Sequence, residues 1–380
     1  MTAVATHLVH GMGMALVTPT WPAIAMTEAE AIVNRFPAAG NVVGLRWHSP
    51  RPFSAAALVH TSRGEFFLKR HHRKVRAPAG LAEEHAFIAH LRAAGVSVPL
   101  VMQTGAGIGT VSDGEWTYEL HRKAPGLDLY RDSPSWTPFR SPHHAHAAGA
   151  ELARLHQAAC GFDAPARMQQ PLVTSFTILP AADPMAAAQA YVGARPALSA
   201  FLADRRWQHE LSRLFDAFAD GLGTRLAGQA SLWTHNDWHP SNLLWTLKGD
   251  VRTVFDFGLA DRTCALHDIA TAIERCAFQW LQLGQGADES IADPQSALAL
   301  IAGYRTVLPL SPADVETIVR LLPLVHVEFA LSEVDYFYGV LAEPDHAAMA
   351  WDGYLIGHAE WFLSPAGTDF LTQVEQGARS

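Results

Sequence analysis

The run His235-Asn236-Asp237-Trp238-His239-Pro240-Ser241-Asn242 puts a carboxylate and, five residues on, a carboxamide into one proline-containing loop between apolar runs. A turn, Lys248-Gly249-Asp250, leads to a strand-like Val251 to Phe255 and then to a second carboxylate in Asp256-Phe257-Gly258. This order brings three groups together at the ends of a β-hairpin. They are the groups that phosphoryl transfer from a nucleotide requires. One carboxylate (Asp237) accepts the proton of the attacking hydroxyl. The oxygen of Asn242 and the carboxylate of Asp256 are hard ligands suited to Mg²⁺. Such a reaction asks little covalent chemistry of the protein, so positioning and charge neutralisation dominate.

The elements that must hold these residues fall into two halves. Residues 1–26 are punctuated by Gly, Pro and Thr and read as irregular. Thr27 reads as the N-cap of a helix, TEAEAIVNRF, with acids in its first turn. Short strand patterns follow over Val42 to Trp47, Ala55 to Thr61 and Glu65 to Arg70, the last two joined by the turn Ser62-Arg63-Gly64. A helix is expected from Leu81 to Ala94, ended by Gly95, then an extended stretch from Val98 and a final strand from Trp116 to His121. Beyond this the pattern is mainly helical: Ala145 to Ala159, two or three helices between Met185 and Leu226, and further helices to Phe362. The expected division is an irregular segment 1–26, a small α/β half 27–122 and a helical half 123–380.

Composition sets the class. Of 380 residues, 49% are hydrophobic and 17% charged, which is core-forming. With 28 basic and 37 acidic side chains the net charge is −9, which argues against a nucleic-acid partner and suits a cationic small substrate. The 3 cysteines lack CxxC spacing, so neither disulfides nor a zinc ribbon are indicated. No signal peptide and no run of about 18 apolar residues is read, so the expectation is a cytoplasmic protein without a membrane span. The pattern carries no signal for oligomeric state.

The motifs HNDWHPSN and FDFG resemble the catalytic and metal-binding loops of the aminoglycoside phosphotransferase/choline kinase superfamily. The resemblance implies an α+β, protein-kinase-like two-lobed fold: a small antiparallel-sheet N-lobe with one main helix and a larger helical C-lobe. It also implies ATP and Mg²⁺ as cofactors, bound in the interlobe cleft. Lys69, ending the third strand, matches the lysine on the ATP phosphates, and Glu84 the glutamate that pairs with it. Glu119-Leu120-His121-Arg122 matches the hinge, with Glu119 and His121 giving backbone contacts to adenine. Leu152 to His156 resembles the helix after the hinge, and His267-Asp268-Ile269-Ala270 the segment after the metal loop. His235 and Asp268 then brace the loops. The loop Ser49 to Ser54 departs from the family's glycine-rich form. Pro50 and Pro52 supply no amide there, which leaves Ser49 and Ser54 as phosphate contacts.

The implied acceptor is a hydroxyl on a small molecule: an amino alcohol, amino acid, sugar or aminoglycoside. Two likenesses qualify it. His239 and the Leu-Trp after Asn242 partly resemble the bacterial stress-response protein kinases, and GYRTVLPLS…FALSEVDYF loosely resembles bacterial homoserine kinases. A protein Ser/Thr kinase and a nucleotide-binding pseudokinase are the alternatives. Glu328, Ser332 and Asp335 fall at i, i+4 and i+7, on one helix face, and with Trp280 and Tyr336 are candidates for an ammonium-binding acceptor pocket. The stretch Gly105 to Gly109 lacks a strand–helix context and reads as a turn. His71-His72 and His143-His144-x-His146 read as surface histidines rather than metal ligands.

Overall fold

The computed structural model describes residues 7–10, 15–134 and 136–379. Its contacts divide the chain into two units: the described residues of Met1–Ala93 and Ser97–Pro125, and those of Ala94–Val96 and Gly126–Ser380. The main division therefore falls three residues after the expected one.

In the first unit, β1 (Val9–His10) and β2 (Leu16–Val17) pair with each other in the segment expected to be irregular. The rest of that expectation, at 1–6 and 11–14, lies outside the described residues. Helix α1 (Met26–Val33) begins one residue before Thr27, and its cap residue is Ala25. Then come β3 (Val42–His48), β4 (Ala55–Thr61), β5 (Gly64–His72), α2 (Pro78–Ala93), β6 (Leu100–Val101), β7 (Thr110–Asp113) and β8 (Trp116–Arg122). They form one antiparallel sheet in the order β3-β4-β5-β8-β6, with β7 also on β8.

The alternation of β5 decides its two faces. Phe66 and Leu68, with Tyr118 and Leu120 of β8, point into a core closed by Ile32, Val33 and Phe36. Phe67, Lys69 and His71 lie on the other face, with His121 opposite Phe67 and Glu119 opposite Lys69. That face carries the polar chemistry of this unit.

The second unit opens with α3 (Pro142–Ala159), α4 (Pro184–Gly193), α5 (Pro196–Leu202), α6 (Trp207–Phe218) and α7 (Leu222–Ala227). Prolines at the starts of α3, α4 and α5 occupy positions where a missing N–H costs nothing. Between Met185 and Leu226 four helices stand where two or three were expected, α4 and α5 being divided at Pro196. Next come β9 (Ser231–Thr234), β10 (Leu243–Trp245), β11 (Val251–Val254), β12 (Asp261–Cys264) and α8 (Ala265–Cys276). They are followed by α9 (Pro294–Arg305), α10 (Pro312–Leu321) and α11 (Val327–Asp335). Two π-helical stretches, Tyr336–Leu341 and Met349–Gly357, alternate with α12 (Pro344–Ala348) and α13 (His358–Trp361) before α14 (Pro365–Arg379).

Helices α3 and α9 meet backbone to backbone. A Cβ on Gly149 would collide with the carbonyl of Leu300, and one on Gly303 with that of His146. This close approach sets His156 of α3 against Tyr304 of α9, where imidazole Nδ1 and phenol oxygen lie 2.9 Å apart. The other nitrogen of His156 thereby reaches the catalytic segment.

Candidate active site

Two short ladders assemble the loops. Thr234 of β9 pairs with Asp261 of β12, and Leu243 of β10 with Val254 of β11. The second register sets Asn242 beside the end of β11, where Phe255 N donates to the Asn242 carbonyl at 3.1 Å. Asp237 and Asn242 meet within one loop, and hairpin register brings the segment of Asp256 beside them.

The loop conformation is held from below. Asn236 (φ 59°) and Asp256 (φ 64°) are left-handed, a state that Asn and Asp tolerate better than most residues. Asp268, at the start of α8, accepts the backbone N–H of His235 (2.9 Å) and of Asn236 (2.8 Å). The Asp268 carboxylate also accepts from His156 Nε2 at 2.9 Å. Burial alone would raise the Asp268 pKa, but these donors outweigh it and hold the group ionised below its ordinary value. His235 ties the two loops together: its Nε2 donates to the Phe255 carbonyl at 3.1 Å and its Nδ1 accepts the Asp237 N–H at 3.2 Å. Hydrogen on Nε2 satisfies both contacts.

The carboxylate of Asp237 is flanked on both oxygens. Arg275 Nη1 lies 2.9 Å from Oδ1, with His239 Nε2 at 3.5 Å. Asn242 Nδ2 donates to Oδ2 at 2.9 Å. Burial opposes ionisation, yet Arg275, then His239 and His235, depress the pKa far below the carboxylate range. Asp237 is therefore held as an anion, a group that can accept a hydrogen bond from a hydroxyl. With its nitrogen on Asp237, Asn242 has its side-chain oxygen left as a donor it could offer to a metal ion. That oxygen and the Asp256 carboxylate form an all-oxygen donor set that fits Mg²⁺.

A family model described as "Phosphotransferase enzyme family" matches residues 53–310, more than half of the sequence. The chain belongs to this family. A homoserine kinase from Azorhizobium caulinodans is 25% identical to the phosphotransferase over 281 residues, covering 73% of this chain and 75% of that protein. Among solved structures, the fold is similar to a microcompartment-associated aminopropanol kinase (TM-score 0.55, 20% identity, covering 90% of this chain and 99% of that one). It is also similar to an amicoumacin kinase in complex with AMP-PNP and Ca²⁺ (TM-score 0.55, 15% identity, 92% of each chain). An aminoglycoside phosphotransferase from Alicyclobacillus acidocaldarius gives TM-score 0.51 at 17% identity, over 92% of this chain and 95% of that one. The α+β kinase-like fold is thus shown. No helix among the described residues is long and apolar enough to cross a membrane.

The residues expected to hold nucleotide lie in the first unit. Lys69 sits on β5 opposite Glu119, and Glu84 is buried on α2 at 2% exposure. Both are near enough to His85 for their charges to act on it in opposite directions. Ser54 immediately precedes β4 and is half-buried. The hinge assignment needs correction. Glu119 is flanked by Lys69 of β5 and Thr110 of β7, and His121 by Phe67 of β5 and Val101 of β6. Their backbone groups thus lie inside ladders on both sides and are committed to the sheet, a setting unlike that of a hinge with free backbone groups.

The acceptor assignment is corrected as well. Glu328, Ser332 and Asp335 do share a face of α11, but that face holds backbone. Glu328 accepts from Ser175 Oγ, from Thr177 N and Oγ1, and from Ile178 N, at 2.5 to 3.0 Å. Ser332 Oγ accepts from Leu172 N at 2.8 Å, and Asp335 from Leu198 N at 3.2 Å. Trp280 is closed on both faces, by Phe278 (centroids 4.4 Å) and His358 (3.8 Å), and its Nε1 donates to Glu274 O. Tyr336 is fully buried.

Sequence reasoning missed the polar cluster around Arg275. Glu333, one residue after Ser332 and so on another face of α11, feels the charges of Arg275, Asp237 and Glu274. Glu333 Oε2, Arg275 Nε, His326 Nδ1 and Trp136 Nε1 are buried without hydrogen-bond partners among the described residues. The ring of Tyr354, in a π-helical stretch, lies 5.2 Å from His326 and 5.4 Å from Trp136. Burial pushes Glu333 up to about 8 and His326 down to about 4. The available signal was the charged pair Glu274-Arg275 near the end of α8, after the apolar residues Ala272 and Ile273.

Proposed function

We propose that this phosphotransferase moves the γ-phosphoryl group of ATP to the hydroxyl of a small amino-hydroxyl compound. Asp237 orients the acceptor hydroxyl and takes its proton. Asn242 and Asp256 would hold Mg²⁺, which would supply charge neutralisation for the transferring group. Lys69, paired with Glu84, contacts the α- and β-phosphates, and Ser54 lies in the loop that covers them. The observation carrying this reading is the Asp237 carboxylate, held 2.9 Å from both Arg275 and Asn242 in a loop braced by Asp268.

The acceptor class follows from the unpartnered groups. Buried polar atoms without partners cost about 1–3 kcal/mol each, and a substrate that pairs with them removes that cost. The carboxyl of Glu333 is suited to an ammonium group. Arg275 Nε is a donor suited to a hydroxyl or carboxylate, whereas His326, whose Nε2 donates to the Leu355 carbonyl, offers Nδ1 as an acceptor suited to a hydroxyl or ammonium hydrogen. Both homoserine and aminopropanol, named for the relative and the structural neighbour above, combine an amine with a hydroxyl. The test is ADP release with ATP·Mg²⁺ against homoserine, aminopropanol, ethanolamine, choline, simple sugars and aminoglycosides. Turnover lifted by a primary amino alcohol or amino acid supports the reading. Turnover lifted by a neutral sugar alone contradicts it.

A further inference from the structure

A second cluster of chemical groups lies in the first unit, apart from the residues given a catalytic role. Glu119 is fully buried in the middle of β8. Its Oε2 receives His85 Nε2 at 2.7 Å and His121 Nε2 at 2.8 Å, and its Oε1 receives His71 Nε2 at 3.1 Å. The ligating atoms of His85, Glu119 and His121 all lie within 4.8 Å of one another. The groups come from three elements: His71 from β5, His85 from α2, and Glu119 with His121 from β8. No short-range spacing announces them, which is why the sequence reading took His71 for a surface residue. The turn Gly105 to Gly109 has a place here too. A Cβ on Gly109 would lie 2.5 Å from His85 Nδ1, so glycine there lets the imidazole seat against the sheet.

We propose that His85 Nε2, His121 Nε2 and Glu119 Oε2 form a buried site for a zinc-type divalent cation, with His71 holding the second oxygen of Glu119. Two imidazoles and a carboxylate suit a borderline metal, and water takes the fourth tetrahedral position. Ligands about 2.0–2.1 Å from a tetrahedral ion stand about 3.3–3.4 Å apart, so each imidazole draws back a little from Glu119 Oε2, while the two imidazole nitrogens, within 4.8 Å of each other, adjust to the same spacing. His71 on the outer oxygen is the supporting contact that such sites use to fix a ligating carboxylate. The ion clamps α2 to β8 at the residue next to Glu84. It thereby steadies the helix that carries the proposed partner of Lys69.

The test uses the full chain without an affinity tag, stripped with a chelator and free of nucleotide. Zinc is titrated against a chromophoric competitor, and cobalt is followed by the visible bands of a tetrahedral nitrogen–oxygen site. The expected result is one equivalent of zinc, tetrahedral cobalt bands, and at least 100-fold weaker binding in Glu119→Gln and in His121→Ala. His71→Ala weakens binding about 10-fold. Asp256→Ala and the exposed-site variant His143→Ala/His146→Ala bind as the wild type does. Should Glu119→Gln not fold by circular dichroism, His85→Ala takes its place. Absence of zinc binding by the wild type, or equal binding by the wild type and the ligand variants, overturns the proposal.

Discussion

Buried Arg275 and half-buried Asp237 form an ion pair, with Nη1 of the guanidinium 2.9 Å from Oδ1 of the carboxylate. The pair spans α8 and the catalytic loop. It explains how a carboxylate in so closed a setting stays ionised, since burial alone pushes its pKa the other way. It also links the proposed base to the unpartnered polar cluster, because Arg275 interacts with Glu333, Glu274 and Tyr354 as well.

Removing the guanidinium therefore acts on the acid side of the rate profile. The Asp237 pKa is depressed in the wild type, so its ionised form persists far into acid. In Arg275→Gln that pKa rises, and the acid limb of kcat moves to higher pH. Turnover at neutral pH falls at least 10-fold. Arg275→Lys, which keeps the charge and loses the fork, gives a smaller shift. A kcat profile whose acid limb stays in place in Arg275→Gln contradicts the role given to the pair.

Glu333 carries the opposite sign. Its folded pKa is raised to about 8 by burial, against a reference of 4.5. The folded state thus holds a proton that the unfolded chain has lost, and stability falls as pH rises between these values. Glu333→Gln removes that slope. Its melting temperature relative to the wild type climbs from pH 5 to pH 9. Thermal scans that run parallel across this range refute the assignment.

Glu328 separates structure from recognition. Its carboxylate holds the segment Ser175 to Ile178 through several hydrogen bonds, most of them short. Glu328→Ala is expected to cost about 2–4 kcal/mol of stability, from the lost charged hydrogen bonds and the buried donors left behind. Glu328→Gln, assayed below its melting temperature, keeps the acceptor KM within about 3-fold of wild type, far less than the 1.4 kcal/mol of a tenfold change. A KM rise of 100-fold in a folded Glu328→Gln protein restores the acceptor role read from the sequence.

What could be read in the sequence was what local spacing encodes. Asp237, Asn242 and Asp256 lie within one hairpin unit, so strand period and turn residues were enough to join them. The strands expected over Ala55 to Thr61 and Trp116 to His121 lie within one residue of those observed, Ala55–Thr61 and Trp116–Arg122. What was illegible depends on contacts between distant segments. Glu119 looked like a hinge residue because its strand was read without its neighbours, and only the ladders to β5 and β7 reveal that it is enclosed. Glu328, Ser332 and Asp335 were placed on one face by helical period, but period does not say what that face meets. The neighbour, Glu333, lay off that stripe and went unnoticed.

The central claim is that Asp237 serves phosphoryl transfer and not nucleotide binding. The direct measurement pairs two readouts on Asp237→Asn: ATP·Mg²⁺ affinity by calorimetry, and acceptor-dependent ADP release. The account predicts nucleotide affinity within about 3-fold of wild type, together with a loss of turnover of about 100-fold or more. Wild-type turnover in Asp237→Asn, with nucleotide bound, contradicts it.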